Sequence, residues 1–236
     1  MAVERHPVSR QAYEEIRKTI LRGTCAPGAK LVVRPLAEEL GLSPTPVKTA
    51  LVALEIEGLV RAVPGRGYFV QTFDEAAIRE ISAFRGATDR LAAELAADSP
   101  GHEKLAANLE LNLDLQRLAL AGSDTQAYAN LNNEFHQMIW EAAGNRWLAE
   151  SARHLAGQLR LLTNSSIQNP HRPGQSIEEH GAIAAALAVG DGALAGAHAL
   201  AHALHSEDIL LDILDSREQS GVDLAGLTIA TIAHRD

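Results

Sequence analysis

The stretch from Arg34 to Gln71 leaves the chain few folding options. Arg34-Pro35-Leu36-Ala37-Glu38-Glu39-Leu40 reads as one short helix, with Pro35 tolerated in its first turn. Gly41 and Leu42 make a tight connection, and Ser43 caps a second helix that starts with Pro44, runs to about Glu57 and buries Val47, Leu51 and Leu54. Two short helices joined by a Gly-containing turn form a helix-turn-helix pattern. Behind it, Leu59–Val63, the turn Pro64-Gly65-Arg66-Gly67 and Tyr68–Gln71 read as a β-hairpin. Ahead of it, Tyr13, Ile16, Ile20 and Leu21 follow helical spacing from about Ser9 to Leu21, and a Pro27-Gly28 turn leads to an extended run, Lys30–Val33. Together these elements spell a winged helix.

The net charge of -9 taken alone argues against a nucleic-acid partner. It is unevenly divided, however. Residues 1–72 carry ten Lys/Arg against seven Asp/Glu, residues 73–236 eleven against twenty-three, and nine of the ten histidines lie in the second part. We therefore expect a winged helix-turn-helix domain over 1–72, a helical domain over 73–215 and a tail of uncertain order over 216–236. The junction falls near Gln71–Glu75, where Asp74 is placed to cap the next helix. A basic head suits double-stranded DNA. Ser43, Thr45 and Lys48 would face the major groove, and the helix N-terminus would offer N–H groups to a phosphate. Arg34 and Arg66 sit where backbone or minor-groove contacts are made, and Gly65 and Gly67 let the wing tip approach closely. The alternative is a winged helix used for protein contacts, its basic residues a solvated face.

The same stretch, from Ala12 to Gln71, resembles the DNA-binding domain of the gluconate-repressor (GntR) family of bacterial transcription regulators. The resemblance rests on Tyr13, Ile16, Ile20, Pro27-Gly28, Leu36-Ala37, Leu40-Gly41, the run Ser43-Pro44-Thr45-Pro46-Val47-Lys48-Thr49-Ala50-Leu51, Glu57-Gly58-Leu59-Val60 and Gly65-Arg66-Gly67-Tyr68-Phe69-Val70. The family usually has Arg at the positions of Pro44 and Lys48, and Glu at that of Thr49. Proline has neither a guanidinium fork nor an N–H with which to read a base. The departures imply an operator unlike the family's common core sequence, or an affinity that leans on Arg34, Lys48 and the wing.

Beyond Asp74 nearly every segment reads as amphipathic helix, over 75–97, 101–121, 124–143, 146–165, 175–189 and 191–214, with a polar loop at Ser165–Gly174. Six helices with short connections make an antiparallel bundle, so the whole chain is mainly α. No period of 20 to 50 residues recurs. No apolar run reaches the roughly 18 residues of a membrane span, and no apolar segment follows the basic N-terminus as in a signal peptide. The single cysteine, Cys25, forms neither an intrachain disulfide nor a Cys-rich zinc site, which fits a cytoplasmic location. A metal would have to be held by His, Asx or Glu. Asn132 and His136 are spaced i,i+4 on one helix, and His180 and His202 lie on two later ones. Such a set could form a Zn, Ni, Mn or Fe site with positions left open for a ligand or water. A water-filled polar pocket is the alternative, and His198 and His205 read as exposed or as supporting groups.

This second domain resembles the all-helical FCD effector domain of the fatty-acid-regulator (FadR) subfamily. Metal-binding members carry Asp-x-x-x-His on one helix and single histidines on two later ones. Asn132-Asn133-Glu134-Phe135-His136 with Ala143-Gly144-Asn145, then Glu179-His180 with Ile183, then His202 match that pattern, with Asn132 replacing Asp and removing a charge. Arg85, in Phe84-Arg85-x-x-x-Asp89, matches an Arg that faces the ligand cavity in such domains, although an Arg85–Asp89 surface pair fits the spacing equally. Arg160 is a second candidate cation. The resemblance implies a homodimeric regulator that binds operator DNA and a small carboxylate effector, with one effector oxygen on the metal. A metal-dependent enzyme acting at the histidines is a rival reading. The chain carries no H-E-x-x-H and no paired E-x-x-H, and Glu134 and Glu179 fall one residue off the histidine face. A direct sensor of the metal is the third reading.

Overall fold

A computed structural model describes residues 7–166 and 171–219. In chain order the elements are α1 (Pro7–Leu21), β1 (Lys30–Leu31), α2 (Val33–Glu39), α3 (Pro44–Ile56), β2 (Val60–Val63), β3 (Gly67–Val70), α4 (Glu75–Ala97), α5 (His102–Ala121), α6 (Thr125–Ala142), α7 (Arg146–Ser166), α8 (Arg172–Ala188) and α9 (Gly192–Gln219). They form two compact units, one built on residues up to Thr72 and the other spanning Phe73–Gln219.

In the first unit α1 lies against α3, and their apolar faces bury Ile16, Ile20, Val47, Leu51 and Leu54. Glu57, just past α3, fastens the two helices by accepting from Tyr13 Oη (2.7 Å) and Arg17 Nε (2.8 Å). Gly41 turns the chain between α2 and α3 at φ 64°, a conformation other residues rarely adopt. The sheet is antiparallel in the order β1-β3-β2, so the hairpin gains a third strand from the run before α2. That strand is shorter than expected. Val32 N-caps α2 and its carbonyl accepts from Leu36 N (3.1 Å), which draws Val33 into the helix.

The second unit is a helical bundle in which α4 and α9 run closely together. Small residues make that approach possible: Ala92, Ala93, Ala96, Ala195, Ala199 and Ala203 are buried, and a Cβ at Gly86 would lie 2.9 Å from Leu200 Cδ1. Tyr128, Phe135 and Trp140 of α6 are the large aromatic side chains buried in the core. Asp74, Asp124 and Asp191 cap α4, α6 and α9 by accepting from the backbone N–H three residues on (2.8, 2.8 and 2.9 Å). Two boundaries differ from the sequence reading by more than two residues. α8 begins at Arg172, not at 175, because Pro173 sits in a first turn whose N–H groups need no intrahelical partner. α9 continues past 214 to Gln219, so Ser216–Gln219 of the expected tail are helical, while 220–236 lie outside the described residues. No helix among the described residues is long and apolar enough to cross a membrane.

Candidate functional site

The winged unit presents its expected contact residues at the starts of two helices and on the hairpin. Ser43, Thr45 and Lys48 at the start of α3, Arg34 in the first turn of α2, and Gly65 and Arg66 at the hairpin tip are all exposed. Ser43 takes the N-cap conformation of α3 (φ -78°, ψ 161°), yet its side chain makes no capping bond. The reason is local. Pro46 occupies the third helical position, whose N–H a capping Ser commonly receives, and Pro44 occupies the first. The helix N-terminus therefore offers fewer donors to a phosphate than expected, with Thr45 holding the one N–H of its first three positions. The sheet register compensates with cations the sequence reading missed. Lys30 and Arg61 lie opposite Phe69 from either side, and Arg66 joins them. Their charged ends stand 6.0, 5.3 and 5.7 Å from the ring centroid. Only strand pairing brings Lys30 and Arg61 together across 31 residues of sequence.

In the helical unit, His136 of α6, His180 of α8 and His202 of α9 converge. Each offers a nitrogen, and these atoms lie within 4.8 Å of one another. All three rings are buried. Phe135 stacks on His180 at 4.1 Å between centroids and fixes one wall. Arg85 of α4 reaches the cluster, its Nη2 3.0 Å from Nε2 of His136 and 3.0 Å from Nε2 of His202. Its Nε donates to Asp89 (3.1 Å), which also accepts from Trp140 Nε1 (2.7 Å). The Arg85–Asp89 pair is thus buried, with side chains 10% and 5% exposed, and not the surface pair its spacing also allowed. Beside the cluster runs a cavity whose walls include Arg85, Asn132, Arg172, Ser176, His202 and Ser206. Asn132 lies one turn before His136 and accepts from Ser176 Oγ (3.4 Å).

Models of two known families match the chain. The FCD domain covers residues 80–205, and the family described as bacterial regulatory proteins, gntR family, covers residues 8–70. The chain belongs to the gntR family of bacterial regulatory proteins and carries an FCD domain. It is 26% identical to an uncharacterized HTH-type transcriptional regulator, YdhC, of Bacillus subtilis, over 91% of this chain and 96% of that protein. It is 28% identical to the HTH-type transcriptional repressor RspR of Escherichia coli over 79% and 81%. The same fold is seen in E. coli McbR/YncC (TM-score 0.69, 23% identity, 92% of this chain and 99% of that one) and in a putative GntR regulator from Rhodococcus (0.72, 24%, 88% and 98%). The protein is therefore a DNA-binding transcription regulator with an FCD effector domain.

Within the FCD domain, burial sets the state of the imidazoles. Desolvation, then the charge of Arg85, pushes His136 down to about 4. Burial also holds His180 and His202 well below the ordinary histidine value, aided by the neighbouring imidazoles and arginines. At neutral pH all three rings are neutral and keep a lone pair, which is the form a metal requires. Three convergent neutral imidazoles with Asn132 one turn away fit a borderline divalent cation.

Two residues of α8 join the site unannounced by the sequence reading. Arg172 is buried at 4% exposure and donates to both oxygens of Glu179 (3.0 and 2.9 Å) and to Ser206 Oγ (2.8 Å). Glu179 also meets Nδ1 of His202 (2.6 Å) and Nδ1 of His205. It was expected to point off the histidine face. It does leave the face of His180, and its carboxylate reaches His202 and His205 on α9 instead. Arg160 behaves otherwise. Its guanidinium donates to Asn130, and the cavity walls from α7 are Leu159 and Leu162. Arg172 is thus the second cation in the cavity wall.

Proposed function

We propose that the helical domain is a metal-assisted sensor of a small carboxylate, and that its occupancy sets the affinity of a homodimer for operator DNA. His136, His180 and His202, with Asn132 beside them, hold a divalent transition metal. When bound, that ion supplies a Lewis-acidic position for one effector oxygen. Arg85 and Arg172, buried in the cavity wall, orient the carboxylate, because a planar donor fork in a desolvated site favours that shape. Ser176 and Ser206 offer hydroxyl groups to the rest of the molecule. The observation that carries the reading is the convergence of three neutral, buried imidazoles beside a cavity walled by two arginines.

At the other end of the chain, Ser43, Thr45 and Lys48 face the major groove, while Arg34, Gly65 and Arg66 position the head on the backbone, assisted by Lys30 and Arg61. A dimer supplies two such heads, and the effector favours one arrangement of them by binding it more tightly. The test is a titration of the purified protein against its own upstream DNA at fixed salt, with and without Zn2+ and a panel of small organic acids. Specific affinity that changes with an acid only when metal is present supports the reading. Equal affinity for specific and non-specific DNA in every condition overturns it.

A further inference from the structure

The carboxylate of Glu179 is the meeting point of three side chains from α8 and α9. Each of its oxygens accepts from Arg172, one also faces Nδ1 of His202 at 2.6 Å, and the other faces Nδ1 of His205. An ionised carboxylate only accepts hydrogen bonds, so a ring nitrogen at 2.6 Å must carry the proton. Nδ1 of His202 is then N–H, and its 3.3 Å approach to Nη2 of Arg172 is a contact between two donors, not a bond. The other nitrogen, Nε2, keeps the lone pair and points inward, towards Nη2 of Arg85 at 3.0 Å and Nε2 of His180 at 3.3 Å.

We infer that Glu179 is a positioning residue that fixes His202 in the Nδ1–H tautomer, so that Nε2 is presented as a ligand to the cluster. The inference rests on the metal site proposed above for its purpose, though not for its geometry. A ligating imidazole ordinarily hands its second N–H to a carboxylate or carbonyl, which sets ring orientation and raises ligand basicity. Asp89 stands behind Nδ1 of His136 in the same sense, but 3.7 Å away. Glu179 has a further consequence, because the same carboxylate holds Arg172 in the cavity wall. One side chain thereby links the histidine cluster to the cavity, and whatever shifts one shifts the other.

The amide in Glu179→Gln keeps the shape and reverses the logic. Its NH2 can face Nδ1 of His202 only if that nitrogen accepts, which moves the ring proton to Nε2 and turns an N–H towards the cluster. The experiment is long-range 1H–15N NMR of the full-length, 15N-histidine-labelled protein stripped with EDTA at pH 7.5, with His202 assigned by its Gln variant, followed by Zn2+ titration. We expect the Nδ1–H pattern for His202 in the natural protein, the Nε2–H pattern in E179Q, and Zn2+ binding weakened about 10- to 100-fold in E179Q. A natural protein with His202 protonated on Nε2 overturns the inference, as does an E179Q protein with unchanged tautomer and unchanged Zn2+ affinity. Should E179Q not fold, the spectrum of the natural protein decides alone. A natural protein that takes up no Zn2+ contradicts the metal reading while leaving the tautomer, read without metal, to stand or fall separately.

Discussion

Nη2 of Arg85 lies 3.0 Å from Nε2 of His202, on the lone pair that the ring would offer to a cation. The same nitrogen serves His136 at the same distance, one N–H for each ring. A metal that takes these lone pairs displaces the guanidinium, and the freed fork remains in the cavity wall beside Arg172. Arg85→Met should therefore tighten Zn2+ binding. A hydrogen bond from a charged donor contributes about 1.5 kcal/mol or more, so the gain should be at least roughly tenfold. Competition with a chelating dye measures it, and weakened binding in the variant would contradict the account.

Asp89 anchors this arrangement from below. It is buried and accepts from Arg85 and Trp140. Asp89→Ala leaves a buried guanidinium and an indole N–H without their acceptor, which should cost about 3–5 kcal/mol. Urea unfolding of the full chain reports the change, and a loss below 1 kcal/mol would show the pair to be dispensable.

The histidines impose a pH dependence on the metal-free protein. His136 is held at about 4 when folded and returns to the ordinary 6.5 when unfolded. As pH falls through this window the unfolded state takes up the proton first, so stability present above pH 6.5 is lost progressively towards pH 4. Melting in EDTA between pH 7.5 and 4.5 should show a falling midpoint, and His136→Gln should flatten the slope. A midpoint independent of pH would show the rings to be solvated.

Lys30 and Arg61 flank Phe69 on the exposed wing. If both contact phosphates, each Ala variant should lower the slope of log affinity against log salt by about 0.9 while leaving sequence preference unchanged. Anisotropy titrations at several salt concentrations measure the slope. An unchanged slope would move the phosphate contacts elsewhere.

Much of the fold was legible because its signals are local. The glycine turn at Gly41, the Pro64–Gly67 turn of the hairpin and the cap at Asp74 all lie within a few residues of what they control. α8 was read too short because Pro173-Gly174 looks like a loop, although Pro is favoured in a first turn. The histidines could be found by helical phase. Arg172 and Glu179 could not, since Arg172 fell in the expected loop, and Glu179 sits off the face that His180 marks and reaches histidines on α9. The wing cations were hidden for the same reason, because Lys30 and Arg61 become neighbours only through strand register. Once α8 is known to begin at Arg172, its phase places that residue on the helix face of Glu179, two turns on.

The central claim is that the buried histidines hold a metal on which effector sensing depends, separately from DNA contact. Calorimetric titration of the EDTA-stripped protein with Zn2+, on the natural chain and on His180→Ala, tests it most directly when paired with DNA binding in EDTA. The expected result is one Zn2+ per chain for the natural protein, none for the variant, and the same metal-free DNA affinity for both. No uptake by the natural protein, or equal uptake by His180→Ala, would contradict it.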